Sequence, residues 1–248
     1  MKQFWLPLAT LWRRELIRFW REKARVLGFV GSPLVFWLII GAGFGDLAFF
    51  FPGALTLTVM FSAVFSTMSL IEDRREGFLL SMLVSPAPRS SMVLGKTLGS
   101  ATLAWVQGLI FMAFGPLTGV WLSPVRLLQA VAVVFLISLT FTLLGFLIAW
   151  HMESSQGFHA VMNLVLFPLW MVSGSLFTPE KAQGWMRIIM AVNPLTYSQA
   201  ALRRLLDPRA SAGAPGLALS LGVTCACALA LLMASTAAAG RRSTKSAA

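Results

Sequence analysis

Six long stretches of this 248-residue chain carry no formal charge: 26–45, 47–71, 97–125, 127–152, 154–179 and 210–240. They run to 20, 25, 29, 26, 26 and 31 residues. A hydrocarbon core ~30 Å thick takes roughly 20 helical residues to cross, so each stretch can span a bilayer. An unpaired backbone amide costs several kcal/mol in lipid, and runs of this length pair their amides best as helices. Composition agrees, with 57% hydrophobic and 12% charged residues. The expected fold is all-α and integral to the membrane. Its six transmembrane helices fall at about 26–44, 51–71, 96–118, 127–150, 158–176 and 217–240.

A seventh uncharged run, 188–202, has only 15 residues and is interrupted by Asn193-Pro194. It suits an interfacial or re-entrant segment better than a span. No internal repeat is evident, and 207–216 is the only linker-like stretch, so 1–248 reads as a single membrane domain.

The formal charge of +11 is unevenly placed. Seven of the 20 Lys and Arg residues lie in 1–25, four in 72–96 and three in 241–248. A cytoplasmic N-terminus with six spans puts these 14 inside and six outside, the orientation that the positive-inside rule selects. Both termini are then cytoplasmic in a multi-pass chain. Anionic membrane lipid accounts for the basic residues, and nucleic acid is not implied as a partner. Arg outnumbers Lys 15 to 5, a composition that points to a GC-rich bacterial genome, and the expected location is a bacterial inner (cytoplasmic) membrane.

Residues 1–25 read as an amphipathic helix lying in the interface. Leu8, Trp12, Leu16 and Phe19 recur at helical spacing, while Arg14, Arg18, Arg21 and Arg25 follow a second stripe. The first apolar run starts only after these residues, so no cleavable signal peptide is expected. Gly41, Gly43 and Gly45 have the spacing that lets helices approach closely, a pattern that also arises by chance. Thr56, Thr58, Ser62, Ser66, Thr67 and Ser69 can bond their own backbone or line a path. Gly115-Pro116 is expected to break the third span. Cys225 and Cys227 sit inside the sixth run as packing residues.

Chemistry-bearing patterns are sparse. No phosphate-binding or dinucleotide glycine motif occurs, so any nucleotide chemistry belongs to another chain. His151, Glu153 and His159 gather at one boundary without metal-ligand density, and no metal site is expected. Ser173-Gly174-Ser175 resembles a serine nucleophile but has no His at similar depth. No catalytic residue and no cofactor are therefore expected on this chain.

The segment Glu72–Lys96 is the exception to the neutral pattern. Phe78, Leu79, Met82 and Leu83 form one apolar face of a short helix. Glu72, Asp73 and Glu76 sit around its start, where the helix dipole favours negative charge. Ser85-Pro86-Ala87-Pro88 ends it. Such an element, tied to two spans, is well placed to receive a push from a soluble partner.

These residues carry a resemblance. Glu72-Asp73, Glu76-Gly77, Ser85-Pro86 and Gly95-Lys96 resemble the cytoplasmic coupling segment of type-2 ABC exporter permeases. The run Ser173 to Pro179, Trp185, then Asn193-Pro194-Leu195-Thr196-Tyr197 and Ala201-Leu202-Arg203 is similar to that family's outer segment before the last span. The likeness covers essentially the whole chain, with one departure: the family's Gly-Thr-apolar-Glu is Gly77-Phe78-Leu79-Leu80 here.

The resemblance implies a permease with an interfacial N-terminal helix, a coupling helix in 72–91 and a re-entrant outer segment in 177–197. It implies a second permease copy, as a homodimer, and an ABC ATPase partner that holds ATP and Mg2+. The coupling residues would be Glu72, Asp73, Arg74, Arg75, Glu76, Gly77, Phe78, Met82, Ser85 and Pro86. The outer gate would be Ser175, Pro179, Asn193, Pro194 and Tyr197. The cargo implied is amphipathic or lipid-like: a drug, a glycolipid or a lipid-linked saccharide. An integral-membrane enzyme and a non-transporting assembly subunit are the alternatives.

Overall fold

A computed structural model of the chain describes residues 2–21, 23–207 and 214–245; the side chains of 2, 20, 21, 23–27, 29, 83, 181 and 241–245 fall outside it. The described residues form helices and turns without a strand. Among the described residues eleven α-helices follow one another: α1 (Lys2–Arg21), α2 (Lys23–Phe44), α3 (Leu47–Ser66), α4 (Ser69–Arg75), α5 (Phe78–Val84), α6 (Arg89–Met112), α7 (Pro124–His151), α8 (Ser155–Trp170), α9 (Gly184–Val192), α10 (Pro194–Leu206) and α11 (Leu217–Lys245).

Four stretches among the described residues are long and apolar enough to cross a membrane: Leu47–Arg75, Pro124–His151, Ser155–Ser175 and Leu217–Gly240. They fall at the second, fourth, fifth and sixth expected spans. Where the first was expected, α2 offers the shorter apolar stretch Val30–Phe44. Where the third was expected, α6 is 24 residues long but carries Arg89, Lys96 and Gln107.

Local chemistry sets the boundaries. Gly45 turns the chain between α2 and α3 at φ +71°, a left-handed conformation that suits glycine, and the Asp46 side chain accepts from Phe49 N at 2.9 Å. Gly41 lies in the same turn, where an added Cβ would stand 2.7 Å from Leu47 Cδ2. Of the expected face for helix approach, Gly41 is thus covered by the chain's own turn, while Gly43 and Gly45 stand in open space. Gly77, at φ +75°, reverses α4 into α5. Helix α6 ends at Met112, just ahead of Gly115-Pro116, which opens a short 3-10 turn. Ser123 and Ser154 cap α7 and α8.

Helix α3 is the axis of the core. Most of its side chains are buried, with α2, α6 and α7 around it. Trp37 is fully buried against Phe51 and Phe111, with centroids 5.1 and 5.9 Å away, and its indole donates to Leu47 O at 2.9 Å. Thr56, Thr58, Ser66 and Thr67 bond carbonyls three or four residues back in α3, the bland outcome for a hydroxyl in an apolar helix. Helix α8 buries Phe158, Met162, Leu166 and Trp170 on one stripe and turns Leu164 outward. Outward Leu and Val side chains on α2, α8 and α11 need no aqueous explanation if lipid is the solvent.

Two ends result. At one lie α1, the α4–α5 turn and the α7–α8 connection. At the other lie the α2–α3 turn, the α8–α10 region and the start of α11.

Candidate functional site

At the first end, charge is buried on three helices at once. Asp73 of α4 has no exposed side-chain surface, and Arg14 of α1 grips it with two hydrogen bonds, 2.8 and 3.1 Å long. Arg18, one turn on, donates to Asp73 at 3.1 Å and to Glu72 at 2.5 Å. From α6, Lys96 reaches the same Asp73 carboxylate and Glu15 of α1, the latter at 2.8 Å. Glu15 also accepts from Ser69 at 2.9 Å. Three cations face three carboxylates. Burial opposes charge on Arg14, but the hydrogen bond and pull of Asp73 outweigh it and raise the guanidinium above its ordinary pKa. Its face also lies 3.9 Å over the Phe78 ring.

Glycine lets α1 come this close. An added Cβ on Gly95 would stand 2.8 Å from Leu8 O, and one on Gly99 would stand 2.7 Å from Glu15 Cβ. The Gly95-x-x-x-Gly99 stripe of α6 therefore seats α1 lengthwise, with Leu11, Glu15 and Phe19 buried. Next door, Arg74 closes the end of α7 by donating to Trp150 O (2.7 Å) and Met152 O (2.5 Å). Arg75 donates to Glu153 O at 3.1 Å.

Helix α5 projects from this anchored base. Leu79 and Met82 turn inward, whereas Leu80 and Val84 are 66% and 81% exposed. Glu76, Ser81, Ser85 and Pro86 are exposed beside them.

At the opposite end, α8 loses regularity. Residues Met171–Ser175 form a wide π turn in which Gly174 takes φ +89°. Asn193 donates to Leu169 O at 2.8 Å and accepts from Leu195 N, capping α10. Tyr197 donates to Ala191 O at 2.9 Å. Ser175 is buried against Gly53, where an added Cβ would meet its backbone oxygen at 3.0 Å. Trp170 donates to Gly53 O at 2.8 Å, and the Gln199 amide nitrogen donates to Thr56 Oγ1 at 2.5 Å. These bonds brace α8 and α10 against α3 just after Pro52. Pro179 opens a separate 3-10 turn.

Sequence comparison fixes what this scaffold is. Residues 7–206 match the family described as ABC-2 type transporter. The chain belongs to that family. The ycf38 protein of Cyanophora paradoxa, named as a transport permease, is 28% identical over 212 residues, 80% of this chain and 73% of its own. Nodulation protein J of Rhizobium leguminosarum bv. viciae is 26% identical, spanning 96% of this chain and 95% of its own. The daunorubicin resistance ABC transporter permease protein DrrB1 of Streptomyces coeruleorubidus is 28% identical, with 86% and 78% covered. ABC-2 permeases are transmembrane subunits, not catalytic themselves, that work with an ABC ATPase partner.

Within this ABC-2 chain the expected coupling residues divide in two. Asp73 and Met82 are buried, Phe78 is half-buried, and Arg74 with Arg75 is spent on the α7–α8 connection. Of the apolar face expected on this helix, Leu79 and Met82 point into the protein, and the apolar residues left outward are Leu80 and Val84. Leu83, Arg21 and Arg25 have side chains outside the described set. Of the expected gate, Asn193 and Pro194 join α9 to α10 and Tyr197 latches across that joint, while Ser175 packs on α3. Neither Glu15, Gly99 nor Gln199 is singled out in the sequence, and Gly95 is marked only beside Lys96. The Gly95-x-x-x-Gly99 spacing is the signal that could have found the α1 seat. His151 bonds Leu147 O and His159 stacks on Phe65, so the boundary histidines serve separate local contacts.

Proposed function

We propose that this chain is the membrane-spanning permease subunit of an ATP-driven exporter, moving an amphipathic or lipid-like substrate out of the cytoplasm on energy from a separate ATPase. The carrying observation is the α4–α5 hairpin: an exposed Glu76, Leu80 and Val84 edge on a base bolted to α1, α6 and α7. A push on that edge reaches three helices through short contacts rather than dissipating in a loose loop. In two-state terms, an ATPase that closes on ATP and Mg2+ favours one permease conformation through differential contact with α5. Glu72, Asp73, Arg74, Arg75, Gly77, Phe78, Met82, Ser85 and Pro86 position this edge, and Leu80 makes the contact more apolar than a carboxylate would.

The working unit is a homodimer in a bacterial inner membrane. α2 and α6 complete six crossings, and both termini lie in the cytoplasm. The cargo path runs between protomers along α2, α3 and α8. An apolar recess of about 280 Å³ there, lined by Pro33, Phe36, Leu57, Phe61 and Phe167, supports a lipid-like cargo. The daunorubicin-resistance name of one relative fits the same chemistry. Ser175, Pro179, Asn193, Pro194 and Tyr197 form the outer closure in and around 177–197.

The test is Leu80→Asp with Val84→Asp, co-expressed with the cognate ATPase. Permease level and thermal stability should hold, while ATPase binding weakens about thirty-fold, the ~2 kcal/mol of an interface hot spot. ATP-driven uptake of cargo into inverted vesicles should fall with it. Unchanged co-purification and unchanged export would reject the α5 edge as the docking surface.

A further inference from the structure

Arg203 of α10 is a buried cation whose nearest acceptors are all neutral. Its side chain is 3% exposed, and α10 lies outside the four candidate spans. Nη2 donates to Gly174 O at 2.9 Å and Ser175 O at 3.4 Å, and the guanidinium sits 4.0 Å over the Phe49 ring. Nη1 has no partner. Among the described residues no ion pair is formed with it; Asp207 and Asp46 act on it by charge alone, without a hydrogen bond. They do not offset its lost solvation, and burial pushes the guanidinium down to about 10.

A second orphan lines the same space. Thr196, 5% exposed, has a hydroxyl with no partner. Thr196 and Arg203 both line a cavity of about 20 Å³, together with Ser173, Thr178, Gln199 and Pro215. A single water-sized guest needs at least ~10–15 Å³, so the room suffices for one small particle. Most oxygens on the rim already hold one hydrogen bond. The Gly174 and Ser175 carbonyls already take Arg203, and the Ala214 and Pro215 carbonyls take Arg204 at 2.6 and 2.7 Å. Ser173 is bonded to Trp170 O and Ser175. The Gln199 oxygen takes Gly53 N at 3.1 Å.

A water could donate to the second lone pairs of these oxygens, but it brings no charge to set against the buried guanidinium. A spherical anion has no protons to place, accepts from both orphan donors, and supplies the missing negative charge. We propose that this cavity is a binding site for one small monovalent anion of the halide class, held by Arg203 Nη1 and Thr196 Oγ1. The anion pins the π turn at Gly174 to α10, and so fixes the break in α8 where it meets α3. This proposal concerns a bound ion and does not depend on what the chain transports.

The full chain, purified in detergent, tests it by thermal unfolding in sodium chloride against sodium gluconate at equal ionic strength. With chloride at ten times its Kd, Tm should rise by about 3–6 °C and the rise should saturate. Thr196→Val should reduce this shift by at least half, and Arg203→Lys should weaken it further if that variant folds. Crystals grown in bromide should show one anomalous peak between residues 196 and 203. Equal Tm values in chloride and gluconate, or a water in place of that peak, would overturn the proposal.

Discussion

Asp73 accepts hydrogen bonds from Arg14, Arg18 and Lys96 with its side chain wholly out of solvent. Removing its charge would leave these cations facing each other across α1, α4 and α6, and breaking a buried ion group in this way costs about 3–5 kcal/mol. Asp73→Asn should therefore lose that much unfolding free energy in a denaturant titration, whereas exposed Glu76→Gln should stay within about 0.5 kcal/mol of the parent. Comparable stability for the two would mean that the cluster is solvated. From sequence the two acids look alike, since both sit in the charged gap between apolar runs. What separates them is Arg14, 59 residues away. Charge and helical spacing made the arginine stripe of α1 legible, but only the meeting of α1 with α4 and α6 reveals where that stripe is spent. Gln199 was invisible for the same reason: its partner, Thr56, is 143 residues distant.

At the scale of elements, the contact between α1 and α6 depends on two missing side chains. Gly95→Ala and Gly99→Ala would each force a methyl to within 3 Å of α1, and overpacking of this kind costs about 1–3 kcal/mol. The two together should release α1, read as faster proteolysis between residues 1 and 22 and as lost crosslinking between cysteines placed at Leu8 and Leu98. Gly28→Ala, with nothing within 4 Å, serves as the neutral control. If the double variant keeps the crosslink, α1 is not seated by those glycines. Helix α5 shows where periodicity runs out. Its sequence FLLSMLV is apolar at six of seven positions, so spacing announces a helix without saying which side faces in. Packing decides: Phe78 lies under Arg14 and Met82 lies inward, leaving Leu80 and Val84 to the outside.

Over the whole molecule, helix content and order were legible because long neutral runs leave the backbone little alternative, whereas the number of crossings turns on two polar-marked helices. Lys96 lowers the apolar character of α6, yet its charge is matched inside the protein by Glu15 and Asp73. A lysine neutralised within the bundle does not present its full cost to lipid, so α6 can cross although its composition falls short. Helix α2 has Val30–Phe44 as its apolar part and must borrow length from residues before Val30 to do so. Six crossings make a definite pattern of sidedness. Single cysteines at Thr10, Ser81 and Ser154 should react with an impermeant maleimide only in inverted vesicles. Cysteines at Trp121 and Trp185, both well exposed, should react only in intact cells. Four crossings by the strongly apolar helices alone, without α2 and α6, break this alternation at definite places. Labelling of Trp121Cys from the same side as Ser81Cys would remove α6 from the membrane. Labelling of Thr10Cys opposite to Ser81Cys would remove α2.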